Sequence, residues 1–129
     1  MPYASNLGQP VTTEIVAIAS GTSTAALVTS ATFINENGWK GVKAILGIGT
    51  LVSTNLTLSI LEADANGRTV ALLASAALTA SGEITVHPQV ATVANKTLSN
   101  VAPARILVTV APNAGGSNDV YGVTLNWLP

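Results

Sequence analysis

Apolar and polar residues alternate with a period of two along much of this 129-residue chain. The clearest run is Asn55 to Glu62, where Leu56, Leu58 and Ile60 share one side and Asn55, Thr57 and Ser59 the other. Successive side chains of a strand leave opposite faces, so this pattern predicts one face in a core and one in water or against a partner. Trp39 to Ile48 repeats it with Val42, Ala44, Leu46 and Ile48, while Gly47 and Gly49 predict a bulge or a strand end. Thr12 to Ser20 sets Glu14, Val16 and Ile18 against Ile15, Ala17 and Ala19, and Gly21-Thr22-Ser23 reads as the turn that closes it. Ala25 to Ile34 supplies another extended segment before the turn Asn35-Glu36-Asn37-Gly38.

The second half continues the rhythm. Asn66-Gly67 marks a hairpin tip within 63–68. Thr69 to Ser81 could place Val70, Leu73, Ala77 and Ala80 on one helical face, but the surrounding β rhythm favours a strand, a bend and another strand. Gly82 to Pro88 alternates again and stops at the proline. Gln89 to Pro103 reads as a long connection with a weakly apolar stretch from Val90 to Val93. Two β-branched runs close the chain, 105–111 and 119–128, separated by the turn-rich Pro112 to Asn118, and they read as antiparallel strands joined by a loop. About eight strands with regular turns predict an all-β, two-layer antiparallel β-sandwich. Alternation alone leaves jelly-roll and immunoglobulin-like topologies open. The expectation taken forward is a jelly-roll-like sandwich over 12–129, preceded by an extended N-terminal arm over 1–11, whose prolines and scarcity of large apolar side chains tie it poorly to a core.

Composition narrows the function classes. Apolar residues make up 48% of the chain and argue against disorder, while charged residues make up only 9% and the net charge is −1. The five cations are mostly scattered, so the basic stripe of a nucleic-acid binder is missing and no nucleic-acid partner is expected. A surface so poor in charge suits a protein packed against neighbours, as well as a monomer covered in Ser, Thr and Asn. The chain has no Cys, hence no disulfide or thiolate chemistry. The long uncharged stretches from Ile15 to Asn35 and Ala44 to Leu61 are broken by polar residues or Gly, so no membrane span is expected.

Candidate chemistry is sparse. His87 is the sole imidazole and stands before Pro88 at a strand end, without further His or Cys to complete a metal site. Glu62 and Asp64 precede Asn66-Gly67 as in a calcium loop, but the distal Glu is missing and a solvated hairpin tip is the better reading. Gly115-Gly116 lies between strands and cannot act as a phosphate loop, and the acceptor patterns at Asn55 and Asn95 are common by chance. Trp127 shares a register with Tyr121, Val123 and Leu125 and is expected in the core, whereas Trp39 follows a turn and is a candidate contact residue. No enzyme activity, cofactor or metal is expected.

Three segments resemble small virion proteins of tailed bacteriophages. They are Leu56 to Gly67, an extended run ending in an acidic, Gly-tipped hairpin; Ala104 to Val110, which carries Arg105 into an apolar run; and the closing Tyr121 to Trp127. The resemblance implies a head decoration, or cement, protein: a β-sandwich, often a homotrimer, on the outer surface of the capsid. Its partner would be the major capsid protein, whose adjacent subunits it bridges against the pressure of packed DNA. Assembly contacts are then expected at Pro2, Tyr3, Leu7 and Pro10 of the arm and at Trp39. The alternatives are a phage tail or fibre component, or a carbohydrate-binding module using Trp39 and Tyr3 as stacking platforms.

Overall fold

A computed structural model describes residues 14–23, 27–113 and 118–129. The described residues are all-β and form no helix. Ten strands follow in order: β1 (Glu14–Ser23), β2 (Val28–Thr29), β3 (Phe33–Ile34), β4 (Gly41–Thr50), β5 (Asn55–Ala63), β6 (Thr69–Ala74), β7 (Gly82–Val86), β8 (Thr97–Leu98), β9 (Arg105–Asn113) and β10 (Asp119–Leu128). They divide into two sheets. Sheet A has the order β1-β10-β4-β7-β8; sheet B has the order β2-β9-β5-β6, with β3 also paired to β9. All neighbours are antiparallel except β7 and β8.

The alternation read from the sequence becomes one shared core. Sheet A contributes Val42, Ala44 and Leu46 of β4, Ile84 and Val86 of β7, and Val123 and Leu125 of β10. Sheet B contributes Leu56, Leu58 and Ile60 of β5 and Ile106, Val108 and Val110 of β9. None of these is more than 1% exposed. Each large member contributes roughly 1.5–3 kcal/mol through burial, offset by the entropy of ordering the chain. Trp127 and Tyr121 lie in the same core, as their register predicts.

Turn chemistry matches the sequence at two places. At the β5–β6 tip Gly67 has φ +83°, a region an L side chain rarely adopts. The Asp64 carboxylate accepts from the backbone N–H groups of Asn66 and Arg68 and pairs with the Arg68 guanidinium at 2.8 Å. The acidic loop is therefore closed on itself rather than around a cation. Before β4, the Asn35 side chain brackets the turn, donating to the Trp39 carbonyl and accepting from the Trp39 N–H, both at 2.8 Å.

Several expectations are corrected. The last two long strands, joined by a loop, do not pair with each other: β9 lies in sheet B and β10 in sheet A, so the connection crosses between layers. Gly21-Thr22-Ser23 does not end β1, which continues through it opposite Tyr121, Val120 and Asp119. Ile18 does not share a side with Glu14 and Val16. A bulge at Ala17 shifts the register, pairs Ile18 with Val123 and turns it toward the core. A second bulge lies between Ile18 and Gly21, where Ser20 presses on Gly122 so closely that a Cβ there would sit 2.5 Å from its hydroxyl oxygen. The segment Ala25 to Ile34 holds two short strands, and the connection Gln89 to Pro103 holds β8. One expectation in this region holds: Gly49 forms a bulge within β4, skipped between the pairs Thr50–Val120 and Ile48–Tyr121.

Candidate assembly face and flank groove

With the inner faces consumed by the core, function must reside on the outer faces, the edges or the loops. The two outer faces differ in chemistry. On sheet A, strand pairing lines up the row Glu14, Asn126, Lys43, Thr85 and Thr97 across all five strands, and the adjacent row Val16, Thr124, Ile45 and Glu83. This face carries charges of both signs, and Lys43 approaches Glu83 at 3.4 Å.

On sheet B the corresponding rows are Thr29, Thr109, Ser59 and Ala74, then Leu107, Leu61 and Ala71, then Ala111 and Thr57. No charged residue stands in any of them. Thr57, Ser59, Leu61, Thr109 and Ala111 are half-buried, and Leu107 is only 5% exposed. Arg105 marks one end of the face, opposite Ile34 of β3, while Glu62 of β5 stands opposite the next residue, Ile106. The result is a smooth patch of short β-branched and small side chains around a Leu61–Leu107 pair. Such a surface loses little solvation or side-chain entropy when a partner covers it.

The ends of the sheets are pinned by polar contacts that composition did not reveal. Asp119, 1% exposed, accepts from the backbone N–H groups of Val52 and Ser53 at 2.6 and 2.8 Å and from the Ser53 hydroxyl. Burial pushes its carboxyl up, but the Ser53 hydroxyl and the two backbone donors outweigh this and hold it below the ordinary carboxylate range. Asp64 is also held low, first by the Arg68 backbone N–H and further by the Arg68 side chain and the Asn66 N–H. His87 stands just beyond β7; Gln89 donates its N–H to Nδ1, and Nε2 lies 2.9 Å from the Pro129 oxygen. The ring therefore ties the β7 end to the end of β10. Among the described residues no group of three or more His, Cys, Asp or Glu could hold a metal.

A groove of about 560 Å³ runs along the flank where the sheets meet. Its walls come from Ser75 to Leu78 after β6, from Gly82 to Thr85 on β7, and from Asn95 to Thr97 at β8, with Lys43 at its rim.

Of the expected contact residues, Trp39 is half-buried and packs against the core, so only part of its ring surface is available to a partner. Pro2, Tyr3, Leu7 and Pro10 lie outside the described residues, as does the proposed arm. Sequence reasoning missed the sheet B face as a unit and the flank groove. The signal for the first was present in the uncharged outward positions of β5 and β9, but which strands neighbour them is not written in either segment. No family model matches the chain, and neither a curated protein nor a solved structure is significantly similar to it.

Proposed function

We propose that this protein is a structural component of a phage virion, a decoration protein that binds the outer surface of the capsid and bridges major capsid subunits. The observation that carries this reading is the outer face of sheet B, uncharged apart from Arg105 at one end, set on a rigid two-sheet scaffold whose other face is charged along its central rows. A decoration protein needs such an asymmetry: one face to lie on the shell and one to stay in water. We further read the architecture as a jelly roll. Counting β2 and β3 as one interrupted strand and β8 as an added edge leaves eight strands, and the sheet orders become 1-8-3-6 and 2-7-4-5. That is the order of two interlocked Greek keys, an arrangement used by capsid and lectin domains among others. Fold alone does not assign a function, so the weight rests on the face. In this reading the protein acts as a homotrimer, and residues 1–11 serve as an arm reaching a neighbouring subunit. Many weak contacts then add by avidity.

Quantitative mass spectrometry of purified particles tests the proposal. A copy number approaching that of the major capsid protein is the expected result. A handful of copies per particle would move the protein to the tail or fibre, and its absence would end the virion reading.

A further inference from the structure

The flank groove combines three kinds of recognition group in one place. The first is an unpaired strand edge. On β7 the N–H groups of Thr85 and His87 point to the β8 side, donating to the carbonyls of Lys96 and Leu98 at 2.9 and 3.1 Å. Backbone direction repeats every second residue, so Glu83 directs its own N–H and C=O to the same side. There β8 no longer follows: its pairing begins at Thr85–Thr97, and Asn95 turns away with φ +63°. The Asn95 side chain instead donates to the Ala74 carbonyl at 3.1 Å, closing one end of the groove against sheet B.

The second group is a pair of cations. Lys96 forms no ion pair with any described residue, and Lys43 is shared with a Glu83 carboxylate that is 56% exposed, at a separation longer than a tight charge-assisted bond. The third is an apolar floor from Ala76 and Leu78, the latter packed on Gly82. A free edge, an apolar seat and an unpaired cation are the elements by which a sheet captures an extended peptide.

We propose that this groove binds an extended segment of another polypeptide, which adds beside β7 at Glu83 and places an acidic side chain against Lys96. Charge complementarity points away from the chain's own segments outside the described residues, because 1–13, 24–26 and 114–117 contain no Asp or Glu. The groove borders sheet B at Ala74, but no residue of that sheet's outer rows lines it, so binding here is tested separately from the shell-facing surface.

Titration of ¹⁵N-labelled protein with Ac-Thr-Val-Glu-Val-Thr-amide, followed by amide shifts, tests the proposal. Saturable shifts at Glu83, Thr85 and Lys96 are expected, weakened at least about fivefold by the Gln analogue of the peptide and by Lys96→Gln. Lys96 is exposed, and an otherwise unchanged spectrum checks that the variant folds. Absence of saturable shifts up to about 5 mM peptide would overturn the proposal. So would equal shifts and affinity with glutarate, which would reduce the groove to a site for small anions. Both results leave the particle copy number untouched.

Discussion

The two sheets present nearly equivalent inner faces and quite different outer ones. Leu46 and Leu58, one from each sheet, are both fully buried in the same core. On the outside, the row through Lys43 carries Glu14 and, in the next row, Glu83, whereas the row through Thr109 carries only Thr, Ser and Ala. Inner faces are dictated by the need to fold, so their similarity says little about function. The outer faces are free of that demand, and their difference is what the proposed function rests on: in that reading the nearly uncharged face of sheet B meets the shell.

The largest effects should appear where the sheets are alike. Leu46→Ala and Leu58→Ala should each lower unfolding free energy by about 3 kcal/mol, measured by denaturant titration. A small effect in only one sheet would mean that the sheets do not share a core as described. Next comes the pin between them and their loops. Asp119→Ala removes the acceptor shared by the buried Ser53 N–H, the half-buried Val52 N–H and the Ser53 hydroxyl and should cost about 2–4 kcal/mol.

Acid stability sharpens the same point. The folded Asp119 carboxyl lies below its unfolded value near 3.8, so its contribution is complete above that value and is lost as the pH falls through the folded one. Asp119→Asn should flatten the fall in stability between about pH 5 and pH 2. An unchanged acid slope would mean that the carboxylate adds nothing to the fold. Smallest of all should be Glu83→Gln on sheet A, which breaks only the partly exposed contact with Lys43 and should shift stability by less than about 0.5 kcal/mol.

Much of the fold was legible because period two reports directly which side of a strand is buried. The Leu56, Leu58 and Ile60 set, the Asn66-Gly67 tip and the placement of Trp127 follow from local pattern alone. Pairing partners are a different matter. The runs at 105–113 and 119–128 are adjacent in sequence and look like a hairpin, yet each finds better cover in a different sheet: β9 beside β5, and β10 between β1 and β4. The two bulges of β1 are equally hidden, since Ala17 looks like any other position and Ser20 reveals itself only where it meets Gly122, whereas Gly49 marked the bulge of β4. The candidate surfaces suffered most. A face or groove built from β5, β9 and β6, or from β7, β8 and the segment after β6, exists only once the topology is known. Asp119, far from Ser53 in sequence, carried no local sign of its role.

The most direct test places a charge on each outer face in turn. Thr109→Lys and Thr124→Lys occupy the central rows of sheets B and A, and both should fold with stability within about 1 kcal/mol of the parent. Occupancy of purified shells lacking the parent protein should fall at least about tenfold for Thr109→Lys and stay unchanged for Thr124→Lys. Full occupancy by a folded Thr109→Lys protein would contradict the assignment of sheet B as the partner-facing surface.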